Sequence, residues 1–121
     1  MFRQDKTALV QKLKNLKENK AALGSLSSKL STIVNGTRSL TKGTTVTCTA
    51  FMEKINVVLN LITQNPSSGK ISRLILTITV ITVTCTTSEK ASLSSLGSSI
   101  TAAESAIAED ETSVQATLTS M

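Results

Sequence analysis

The stretch Ile71-Ser72-Arg73-Leu74-Ile75-Leu76-Thr77-Ile78-Thr79-Val80-Ile81-Thr82-Val83-Thr84-Cys85 decides the fold. Every residue from 77 to 84 is β-branched, so local propensity favours a strand. Spacing favours a helix. Ile71, Leu74, Ile75, Ile78, Ile81 and Cys85 fall on one helical stripe, and alternation of period two fails beyond a few residues. The preceding segment has the same character, with Cys48, Phe51, Met52, Ile55, Val58, Leu59 and Ile62 on one stripe. Spacing is the signal of the buried face, so both segments are assigned as helices, over 45–64 and 69–86. The strand reading of 77–86 remains the alternative.

Between them lies Asn65-Pro66-Ser67-Ser68-Gly69, a run of turn chemistry. Taken as the tip of an antiparallel hairpin, it places Cys48 and Cys85 at nearly equal distances along the two arms. These are the only two cysteines, and each sits in the same pentapeptide, Thr-Val-Thr-Cys-Thr, at 45–49 and 82–86. Stiff β-branched neighbours would hold the thiols face to face. The expectation is a Cys48–Cys85 disulfide, weighed against two buried free thiols. A disulfide implies an oxidising compartment.

The outer segments carry a different pattern. Phe2, Leu9, Leu16, Leu23 and Leu30 recur every seven residues, with Leu13, Leu26 and Ile33 as a second row interrupted near Lys20 and Ser27. Leu93, Ile100, Ile107, Val114 and Met121 repeat the device near the other end, with Leu96, Ala103 and Leu118 nearby. Two long helices are expected, over 4–34 and 88–120. The last helix starts either at Thr86-Thr87-Ser88-Glu89 or after Gly97 at Thr101-Ala102-Ala103-Glu104, since both stretches match a capping box. The net charge of +5 divides unevenly: nine bases face two acids over 1–42, and one base faces five acids over 89–121. Attraction between the ends within one fold is the simplest reading. The expected architecture is one all-α domain over 1–121, a four-helix up-down bundle with its central hairpin stapled by the disulfide.

Composition excludes much chemistry. There is no His, Trp or Tyr. Without imidazole there is no Ser-His or Cys-His dyad and no His metal site. Two cysteines cannot complete a four-ligand zinc site of the usual kinds. Glu109-Asp110-Glu111 lacks the spaced oxygen ligands of a calcium loop. The five glycines are isolated from one another, so no phosphate-binding loop is present. No enzyme, cofactor or metal is expected. The run around the second cysteine is too short and too rich in threonine to span a membrane, and no secretory leader is visible at the start.

The remaining candidates concern binding. Asn35-Gly36-Thr37 is a sequon in an expected turn, which makes Asn35 a candidate glycan acceptor. Phe51, Ile55, Leu59, Ile62, Leu74, Ile78 and Ile81 are the candidate lining for a fatty or other apolar molecule in the bundle core. Lys12, Lys14, Lys17 and Lys20 are candidate contacts for an anionic surface; with few arginines and no interleaved aromatics, nucleic acid is disfavoured. Thr77, Thr79, Thr82, Thr84 and Thr86 would form a flat hydroxyl array only if they lay on a strand. The leading functional expectation is a small secreted, non-enzymatic helical protein that acts by protein–protein contact, including self-association as a homodimer. The alternatives are a carrier of an apolar small molecule and a binder of anionic surfaces.

Overall fold

The computed structural model describes residues 6–35 and 45–121. Phe2, the first two residues of the expected 4–34 helix, and Gly36 and Thr37 of the sequon lie outside the described residues. The elements run α1 (Lys6–Val34), β1 (Thr45–Thr47), α2 (Cys48–Gln64), α3 (Lys70–Thr79), β2 (Thr82–Thr84) and α4 (Thr87–Thr119). The fold is all-α, a helical bundle with one short two-stranded ladder and one disulfide.

The seven-residue rows do what the pattern requires. Leu9, Leu16, Leu23 and Leu30 on α1 are buried, as are Leu93, Ile100, Ile107 and Val114 on α4. Lys20 lies against Glu111, whereas Leu30 lies beside Gly97, so the two helices run antiparallel. Removing one such aliphatic side chain from water contributes about 2 kcal/mol. These rows therefore outweigh any local preference of the Ser- and Thr-rich sequence around them. The second row of α1 differs from the expected one. Leu26 and Ile33 are buried, Leu13 is only half-buried, and the buried residue seven before Leu26 is Asn19.

Helix α4 begins where Thr86 caps it. The Thr86 hydroxyl accepts the Glu89 N–H at 3.2 Å, and the Glu89 carboxylate accepts the Thr86 N–H at 2.8 Å. The helix then continues unbroken through Gly97, so the start at Thr101 is not used.

The middle of the chain divides where propensity and spacing part company. Ile71, Ile75 and Ile78 are buried and hold α3 as a helix. Beyond them the helical stripe gives out. The Thr77 and Thr79 hydroxyls bond back to the carbonyls of Leu74 and Leu76 at 2.6 and 3.2 Å, a competition that weakens a helix end. The N–H of Ile81 turns to the carbonyl of Ile78, and Thr82–Thr84 becomes strand. The expected 69–86 helix is therefore too long, and so is the one over 45–64: Thr45–Thr47 is strand, and Thr47 caps α2 by accepting the Ala50 N–H at 3.2 Å. Nor do the five threonines form one array. Two bond back within α3, two flank Val83 in β2, and Thr86 caps α4.

Candidate functional site

The two pentapeptides meet in register. β1 and β2 pair in parallel, with Thr45 opposite Thr82, Val46 opposite Val83 and Thr47 opposite Thr84. Cys48 and Cys85 follow as the next rung, their Cα atoms 4.9 Å apart, which matches the spacing of neighbouring strands. The disulfide forms as expected, but not across antiparallel arms. The chain turns after α3 and brings the second copy of the pentapeptide alongside the first in the same direction. Cys48 is fully buried and Cys85 is half-buried. Closing a loop of 37 residues stabilises the fold by about 4 kcal/mol in the chain-entropy picture.

The turn at the far end of α2 and α3 is latched onto α1 by Asn19. The side chain is completely buried. Its Nδ2 donates to the carbonyls of Pro66 and Ser68 at 2.9 and 3.0 Å, and its Oδ1 accepts the N–H of Ser72 at 3.1 Å. Asn15 adds a bond from its Nδ2 to the carbonyl of Ser67 at 3.0 Å. Helix α3 needs this help, since its N-cap is Gly69, which has no side chain to offer. Ser68 takes the N–H groups of Lys70 and Ile71, and Asn19 takes that of Ser72. The seven-residue spacing of 19, 26 and 33 was the available signal for a core role, but an asparagine there reads as a solvated residue until its partners are visible.

The latch also fixes where the four-helix part of the bundle stops. α2 starts beside α4, where the Thr49 hydroxyl donates to the Glu89 carboxylate at 3.4 Å, and α2 and α3 end at the turn on Asn15 and Asn19. Residues 6–14 of α1 continue past that level by about 13 Å, at 1.5 Å per residue. Opposite them run the residues of α4 that follow Glu111. The result is a two-helix arm. Its inner rows are closed by Leu9 and Val114, while Leu13 and Leu118 are half-buried, and Val10 and Met121 stand 52% and 56% exposed.

The expected lysine set divides. Lys12, Lys14 and Lys17 are exposed on the arm and its base. Lys14 lies 4.0 Å from Glu18 one turn on, an exposed pair that contributes little. Lys20 is instead drawn against α4, with its ammonium 3.1 Å from Oε1 of Glu111. That oxygen is buried and has no well-aligned hydrogen bond, so the attraction is a close ion contact lacking good hydrogen-bond geometry. Leu13, Lys17, Glu111, Thr112 and Gln115 line a shallow groove of about 270 Å³ beside it.

Lys29 is a charged residue that sequence reading passed over. It is 8% exposed and has no ion-pair partner among the described residues, and burial pushes its ammonium below the usual lysine range. Glu89 is also shifted down, which for a carboxylate favours the charged form. The Thr86 N–H bonded to it, with the Thr86 and Thr49 side chains, holds it below its ordinary value.

Compared with known proteins, the chain matches no family model, no curated protein and no solved structure.

The candidate apolar lining is packing. Phe51, Ile55, Ile62 and Ile78 are buried within the one core cluster, Leu59 and Ile81 are half-buried against it, and Leu74 is 37% exposed. Asn35 is exposed, in the turn that follows α1. Among the described residues no helix is long and apolar enough to cross a membrane, and no group of three or more His, Cys, Asp or Glu converges on a point.

Proposed function

We propose that this is a small secreted, non-enzymatic helical protein that works by protein–protein contact, with self-association as its simplest form. The observation that carries the reading is the two-helix arm. The seven-residue rows of α1 and α4 are spent on each other within the chain, but past the α2–α3 turn no second layer covers them among the described residues. Val10, Leu13, Leu118 and Met121 are left there as apolar surface, and Val57, Leu74, Leu76 and Val80 add further exposed apolar side chains on α2, α3 and the turn after it. The Cys48–Cys85 bridge supports an oxidising, extracellular setting.

Intact mass under native and denaturing conditions, without reductant, tests the reading. A bridged chain that forms a native dimer, and loses it on the double substitution Val10→Glu and Met121→Glu with helix content unchanged, supports contact through the arm. A chain that stays monomeric at high concentration and binds no protein of its source sinks it. A native adduct lost on denaturation would favour the apolar carrier instead. The exposed Lys12, Lys14 and Lys17 keep one second reading alive, binding to an anionic surface, which would collapse as salt is raised.

A further inference from the structure

We propose that Asn35 is the acceptor of an N-linked glycan. The chain has six asparagines, and only Asn35 is followed by a residue other than proline and then by Ser or Thr. Asn65 has Ser67 at the required spacing, but Pro66 stands between them and bars it. Asn15 and Asn19 are committed inward, to the carbonyls of the 65–69 turn. Asn35 differs from all of these. It is exposed in the turn directly after α1, and its backbone N–H is held by the Ser31 carbonyl at 3.0 Å. Its Nδ2 donates to the Ser31 hydroxyl at 3.3 Å, a long surface bond that costs little to exchange. Gly36 and Thr37 enter here as sequence alone.

The position suits a bulky group. α1 has 29 residues, so Asn35 sits about 43 Å from the start of the helix and about 31 Å from the near end of the arm. The glycan would occupy the end of the bundle where α1 finishes and α4 begins, on the side of the disulfide, and would leave the arm uncovered. In the transfer, Nδ2 gives up one proton and bonds to the anomeric carbon of an oligosaccharide carried on a polyprenyl pyrophosphate. The bond from that carbon to the pyrophosphate oxygen breaks, and the lipid pyrophosphate leaves. No oxidant or reductant is needed. The inference rests on the secretory reading above, because this transfer happens on that route.

The test expresses the full chain behind a cleavable secretory leader in eukaryotic cells and weighs the protein from the medium, with and without peptide N-glycosidase. The expected result is a ladder of hexose and N-acetylhexosamine masses that collapses to the polypeptide on treatment, leaving aspartate at position 35. Asn35→Gln and Thr37→Ala should each abolish it, and Thr37→Ser should keep it. A secreted chain with the Cys48–Cys85 bridge formed and a bare Asn35 overturns the proposal while leaving the secretory reading in place. Added mass that survives the enzyme is attached elsewhere and also overturns it. Reduced thiols in protein taken from its natural source would instead sink the secretory reading.

Discussion

Asn19 on α1 caps the first turn of α3 through Ser72: its carboxamide oxygen accepts the Ser72 N–H at 3.1 Å while its nitrogen holds two carbonyls of the preceding turn. A helix normally finds its cap in its own chain segment. Here the cap comes from a residue about fifty positions earlier, so the start of α3 and the docking of the hairpin on α1 are one event. The amide orientation is fixed by these partners, since only the nitrogen can face carbonyls and only the oxygen can face an N–H.

Asn19→Leu should therefore destabilise the protein, although leucine is what a seven-residue apolar row would favour. The Pro66 carbonyl and the Ser72 N–H lose their Asn19 partner at a part-buried turn, the Ser68 carbonyl keeps only the Ile71 N–H, and the expected loss is about 2–4 kcal/mol. Asn19→Asp should restore less than half, because it keeps the acceptor and loses the donor. Urea denaturation of the three proteins measures this, and a leucine variant as stable as the parent would refute the latch.

The bridge makes a separate prediction. Replacing Cys48 and Cys85 together by alanine should cost about 4 kcal/mol from the unfolded side, and somewhat more from the space left by buried Cys48. Helix content at low temperature should survive, because the α1–α4 rows do not depend on the bridge. Circular dichroism through a thermal melt reads both.

Acid should loosen α4 from its first turn. The carboxylate of Glu89 is stabilised in the folded state by the Thr86 N–H, so its folded value lies below its unfolded one. Its contribution is present above the unfolded value, near 4.3, and is lost as pH falls through the folded value. Amide protection at residues 86, 89 and 90, taken relative to the intrinsic exchange rate at each pH, should fall over that range, and Glu89→Gln should show the weaker protection already at neutral pH. Thr86→Ala removes the N-cap itself and should cost about 1 kcal/mol at any pH.

Two glycines sit inside helices without an evident need for glycine. A methyl group added at Gly24 meets nothing within 4 Å, and one added at Gly97 would touch Leu30 at 4.0 Å, an ordinary contact. Gly24→Ala and Gly97→Ala should each stabilise the fold by about 0.5–1 kcal/mol. A loss at Gly97 would mean that α1 and α4 approach more closely than these distances allow.

Much of the architecture was legible because burial imposes a period. Leu9 to Leu30 and Leu93 to Val114 announced α1 and α4, and Thr86 with Glu89 announced the start of α4, though Gly97 offered a competing break that the long seam overrode. The proximity of Cys48 and Cys85 was readable from a repeated pentapeptide, whereas the parallel sense of their pairing was not. Direction depends on how the chain turns after Thr79, where β-branched propensity and helical spacing are nearly balanced. Asn19 was hidden for another reason. A buried polar residue is recognised by its partners, and the 65–69 turn that supplies them lies far off in sequence. Of the candidate sites, the lysines were visible as charge, but only the fold shows Lys20 spent on Glu111 and Lys29 buried with no ion-pair partner among the described residues.

The bridge between the two pentapeptides also changes the order in which the chain can assemble. α1 and α4 lie at opposite ends of the sequence, so their pairing must close a loop that spans most of the protein. A path from Leu30 to Gly97 through the Cys48–Cys85 link skips 37 residues, which leaves less than half of the contour. Halving a loop lowers its closure cost by about 0.6 kcal/mol. An oxidised chain thus meets its own far end over a shorter tether, and refolding should be faster before reduction than after it.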